Sequence, residues 1–171
     1  MENQKSIISD AKLSISQDKV KKGESLTLIL SFKIIGNIRE VFDQKNWERA
    51  YNKHDNLFRI TIEINLKAGR KVVLQSKFVR KAALFWTRSP KISYRIWVSI
   101  IKDDTPFYPT TVEEAKSLLF DINKIIELKS DLLKYGSHEL SSDIKVSWGK
   151  HYYTNPTMIN GRSNTVDIRC G

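Results

Sequence analysis

The chain has a single cysteine among 171 residues, few glycines and prolines, and no long apolar run. Each shortage narrows what it can be. Cys170, beside the C-terminal Gly171, has no partner for an internal disulfide and no companions for a multi-cysteine metal site, which suits a reducing compartment. The N-terminal MENQKSIISD is polar and no apolar run reaches spanning or signal-peptide length, so a cytoplasmic location is the expectation.

Catalytic patterns are also missing. His54, His138 and His151 are far apart and have no His-Glu-x-x-His or Cys-x-x-Cys companion, so no metal site is expected. Asp103-Asp104 and Glu113-Glu114 are adjacent pairs beside turn and cap signals, where solvation explains them and successive strand positions would separate them. No nucleophile, base and orienting group share a usable spacing. Glycine-rich phosphate loops are absent, and Gly161-Arg162-Ser163-Asn164 reads as a turn. The expectation is a protein that is not an enzyme, without cofactor or evident small-molecule substrate.

What is present is alternation. Ala11, Leu13 and Ile15 mark one rhythm of period two, followed by Leu26 to Ile34, Phe58 to Leu66, Val72 to Phe78, Ile92 to Ile100, Leu140 to Trp148, and Val166 with Ile168. Strands with one buried face have this pattern. Turn signals at Lys22-Gly23, Gly36-Asn37, Ala68-Gly69, Tyr135-Gly136 and Asn160-Gly161 separate them. The expectation is all-β: one antiparallel sandwich domain over 1–171, of about seven to nine strands with one or two short inserted helices. Residues 36–57 form an insert too long for a hairpin loop, with Phe42, Trp47, Ala50 and Tyr51 at helical spacing. Thr111 with Glu114 makes a capping box for a helix over about 112–118, and the stretch beyond it, 119–132, fits strand or helix.

The segment Leu133-Lys134-Tyr135-Gly136-Ser137-His138-Glu139-Leu140 resembles the late-strand corner of immunoglobulin-like and fibronectin-like sandwiches, with His138 where those families place Tyr. The opening SIISDAKLSISQDKVKKGESLTLILSFKI is similar to their first two strands. The resemblance covers about the first thirty-five and last forty residues. It implies architecture and carries no function.

Charge is the other positive feature. The chain holds 29 Lys plus Arg against 19 Asp plus Glu, and ten of the basic residues fall between Lys67 and Lys102, a stretch with five large aromatics and no acid. The remainder is balanced, so the net charge of +10 belongs to one segment, which points to an anionic partner. Pairing 71–79 with 92–101 leaves Arg80 to Pro90 as a long hairpin tip, with Val72, Leu74 and Phe78 inward and Lys71, Lys77, Arg95 and Trp97 outward. The candidate binding residues are Lys77, Arg80, Lys81, Phe85, Trp86, Arg88, Lys91, Arg95 and Trp97. Three readings stay open. The aromatics pack on the core or in a homo-oligomer; cations and aromatics hold a single-stranded nucleic acid; or the tip docks on an acidic protein or an anionic membrane.

Overall fold

A computed structural model describes residues 7–35, 57–89, 92–102, 105–107, 117–148 and 157–171, giving backbone alone for 57–59, 81–89, 92–102, 105–107, 148 and 157. Among the described residues eleven strands run in the order β1 (Ile7–Ile15), β2 (Lys19–Val20), β3 (Ser25–Ile35), β4 (Leu57–Ala68), β5 (Lys71–Ser89), β6 (Ile92–Lys102), β7 (Thr105–Phe107), β8 (Asp121–Lys129), β9 (Gly136–Trp148), β10 (Thr157–Arg162) and β11 (Val166–Cys170). They form two sheets. The smaller has the order β1-β3-β8, and the larger β2-β11-β9-β4-β5-β6-β7, with β10 also on β9. All described pairings are antiparallel except β2 with β11.

Alternation explains the packing. Leu26, Leu28, Leu30, Phe32 and Ile34 of β3 face Ile60, Ile62, Ile64 and Leu66 of β4 and Leu140, Ile144 and Val146 of β9 in one buried cluster. The intervening residues stay outside, so each strand contributes one wall of an all-β sandwich. Four of the described strands go beyond the seven runs that the sequence rhythm marks: β2, β7 and β10 lack a recognisable alternating run, and β8 falls in the stretch 119–132 that fits strand or helix.

Several expectations need correction. Residues 80–89 belong to β5 and pair with β6 as far as Ser89 and Ile92, so the expected loop tip is strand. Val72 is exposed, because a register shift between Leu66 and Lys67 places an extra residue in β5 and turns Val73 toward the core instead. Asn160-Gly161 lies within β10 rather than in a turn. A Cβ at Gly161 would come within 2.9 Å of the Ile8 side chain, so glycine there serves close approach of β1. At Gly69, by contrast, φ is +61° and the residue forms a two-residue turn between Ala68 and Lys71, a conformation open to glycine at little cost. The ambiguous stretch resolves as a helical turn at 117–120, β8, and a 3₁₀ turn at Ser130–Leu132. Of the helix expected over about 112–118, residues 112–116 lie outside the described residues, as do residues 36–56 of the insert expected over 36–57.

The sandwich is stitched along one side. Between β10 and β11, Asn164 turns its side-chain amide onto β1: Leu13 N–H donates to Oδ1 at 2.7 Å, and Nδ2 donates to Leu13 O at 3.2 Å. The amide stands in for a strand neighbour that β1 would otherwise lack. A bulge between Ser9 and Lys12, with Asp10 at φ 55°, bends β1 where it passes Gly161. Near the start of β9 the His138 ring reaches Lys134 O at 2.6 Å; a carbonyl only accepts, so Nε2 carries the hydrogen. That bond ties the start of β9 back to the chain just upstream of it.

Candidate functional site

The outer face of the larger sheet is ordered by register. Lys145 of β9, Glu63 of β4 and Lys77 of β5 are neighbours across three strands, and Asp143, Asn65 and Gln75 form the adjoining row. Arg162 of β10 pairs with Asp143 in register. Alternation forces this grouping: apart from Ser142, the buried residues of β4 and β9 are apolar, so the charged ones collect outside.

Two carboxylates organise the charges. Asp143 accepts from Arg162 Nε at 2.8 Å and forms an ion pair with Lys67. The Arg162 hydrogen bond first, and then that of Lys67, hold the Asp143 carboxyl below its ordinary range, while Arg162 is raised in turn. Glu63 pairs with Lys145 at 3.9 Å and has Lys77 as its register partner on the other side. Each carboxylate is therefore flanked by two cations, and the face retains positive charge.

Of the residues expected to bind, Lys77 is exposed on this face. Arg80 is not: it is 4% exposed, and Nη1 donates to Leu118 O at 3.2 Å. The correction follows from β5 continuing as a strand, which leaves position 80 on the inward face after Leu74, Ser76 and Phe78, against the helical turn at 117–120. Lys81 is the register partner of Arg59 and Ile101, Phe85 of Trp97, Trp86 of Ile96, and Arg95 of Thr87. Arg88 sits at the register shift between Thr87 and Ser89. Lys91 and the side chains of Lys81, Phe85, Trp86, Arg88, Arg95 and Trp97 lie outside the described residues. Lys67, Lys145 and Arg162 were missed, since alternation marks them as outward and only strand register brings them together.

Elsewhere, Asp18, Lys19, Glu139, Asp167 and Arg169 line an open hollow of about 550 Å³. Its charges are mixed, and Asp167 and Glu139 face each other in register. Among the described residues no group of three or more His, Cys, Asp or Glu could hold a metal ion, and no helix is long and apolar enough to cross a membrane.

Fold and face together define an all-β sandwich with a polar, cation-rich sheet surface. No family model matches the chain, and no curated protein does. Among solved structures it is similar to AggA, the major subunit of aggregative adherence fimbriae type I from Escherichia coli, at 7% identity over 95% of this chain and 97% of that one, with a TM-score of 0.31. A likeness of that degree carries no argument about function.

Proposed function

We propose that this protein is a non-enzymatic binding module that holds a polyanion across the outer face of its larger sheet, with β5 and β6 extending the contact. The observation that supports it is the arrangement around Glu63 and Asp143, where four cations share two carboxylates. Exposed charges held in such an array raise the local potential and gain from counterion release on binding. Cys170, free and buried, suits the reducing, cytoplasmic setting that goes with this reading.

One observation favours single-stranded nucleic acid as a second reading: register pairs Phe85 with Trp97 and places Lys81 and Arg95 on the same two strands, an interleaving suited to base stacking. Membrane docking has less support. Phe85 and Trp86 are consecutive positions of a paired strand, not the tip of a loop.

Chromatography on heparin tests the polyanion reading. The wild type should bind at low ionic strength and elute with salt. The triple variant Lys77→Gln, Lys145→Gln, Arg162→Gln should elute earlier while keeping its thermal transition. Passage of the wild type through the column without retention would reject the reading. Titration with an oligothymidylate then separates the two polyanions, since stacking quenches tryptophan emission and Trp97→Ala should weaken binding by ~1–3 kcal/mol.

A further inference from the structure

The smaller sheet ends at β8, which pairs with β3 and, among the described residues, has no strand on its other side. An edge of this kind presents unpaired backbone donors and acceptors to any incoming strand. Ile122, Ile126 and Leu128 are buried, while Asp121, Asn123, Ile125, Glu127 and Lys129 are exposed. Ile125 is 65% exposed, and beside it in register is Ile29 at 42%, an apolar pair on a polar face. Lys124 is the one inward charge of the strand, a device that commonly blocks edge pairing. Its ammonium lies over the Phe78 ring, 4.8 Å from the centroid, so the charge rests on the opposite sheet and leaves the edge open.

The sequence of β8 complements its own reverse. Two copies laid antiparallel about a twofold axis through Ile125 pair Asp121 with Lys129, Asn123 with Glu127, and Ile125 with itself, while Ile122 meets Leu128. The charge pair occurs twice by symmetry. Moving the axis to Lys124 sets lysine against lysine and Asp121 against Glu127, and moving it to Ile126 sets Ile125 against Glu127. A parallel in-register pair stacks like charges at Asp121, Lys124, Glu127 and Lys129. Opposite charges across strands stabilise a pair and like charges oppose it.

We propose that the β8 edge is a self-association site, and that two copies join antiparallel through it about Ile125 to extend the smaller sheet across the dimer. The interface is isologous, as closed dimers require. It does not rest on the polyanion reading, because β8 belongs to the other sheet.

Sedimentation across the micromolar range tests it. The wild type should pass from monomer to dimer as concentration rises. Lys129→Glu should weaken the dimer roughly tenfold by opposing Asp121 of the second copy, and the double variant Asp121→Lys, Lys129→Glu should restore it, since the swap preserves complementarity. Ile125→Lys should abolish association by placing two ammonium groups at the axis. Thermal transitions followed alongside separate loss of association from loss of fold, and the charge-swap pair stands alone if Ile125→Lys unfolds. A wild type that stays monomeric, a dimer indifferent to Lys129→Glu, or a double variant that fails to recover would each overturn the proposal.

Discussion

The two outer faces of the sandwich are made of strands with the same inward pattern, yet they differ in what they present to solvent. On the larger sheet Glu63 and Asp143 draw Lys145, Lys67 and Arg162 into ion pairs. On the smaller sheet Ile29 with Ile125 and Ile7 with Ile35 are exposed register pairs. The inward residues specify folding, and the outward ones are free to differ. Function is therefore to be sought in the difference between the faces, because burial constrains only one side of each strand.

The sharpest way to test that division is to compare neighbours. Leu28→Ala should cost ~2–5 kcal/mol, as loss of a fully buried leucine does, whereas Ile29→Thr should stay within about 0.5 kcal/mol; chemical denaturation of both measures the gap. A similar contrast holds along β5. Arg80→Ala should cost ~1–3 kcal/mol by removing a buried side chain and its hydrogen bond to the partly buried Leu118 carbonyl, and Lys77→Ala should be neutral within about 0.5 kcal/mol. Equal effects at Lys77 and Arg80 would contradict their opposite placement.

Acid provides a finer test. Asp143 titrates below its ordinary value when folded, so its contribution is complete above the unfolded carboxylate value of about 3.9 and is lost as pH falls through the lower folded value. With its side chain 31% exposed, the contribution should be below ~1 kcal/mol. The difference in melting temperature between wild type and Asp143→Asn should be visible at neutral pH and close in strong acid. The smallest effect is expected at Ser142, whose buried hydroxyl has no hydrogen-bond partner among the described residues. Ser142→Ala should be neutral or slightly stabilising in thermal melts, because it removes a polar group without orphaning another.

These contrasts also show what the sequence made legible. Period two identified β1, β3, β4, β9 and β11 directly, since one buried face dictates it. It misplaced Val72, because a bulge adds a residue and the rhythm gives no warning of it. Arg80 was read as exposed because alanines, aromatics and cations between 80 and 89 obscure the alternation of a strand that continues. Lys77 was recognisable from its own strand. Lys67, Lys145 and Arg162 were not, since their grouping depends on which strands pair, a non-local property. The bond from His138 to Lys134 was half legible: the turn at Tyr135-Gly136 was visible in sequence, and the reach of the ring to the Lys134 carbonyl required geometry.

The amide of Asn164 grips Leu13 across 151 positions of chain, and this has a kinetic meaning. β1, β3 and β8 can pair before residue 164 exists on the growing polypeptide, but that flank of the sandwich cannot lock until it does. Closing so long a loop is slow relative to local hairpins such as β4 with β5. Until then β1 is held through β3 alone, and the newborn chain passes through an interval in which its first strand can be displaced by competing pairings. A stitch made last contributes to holding the finished fold rather than to reaching it, so weakening it should speed unfolding and leave the folding rate nearly unchanged.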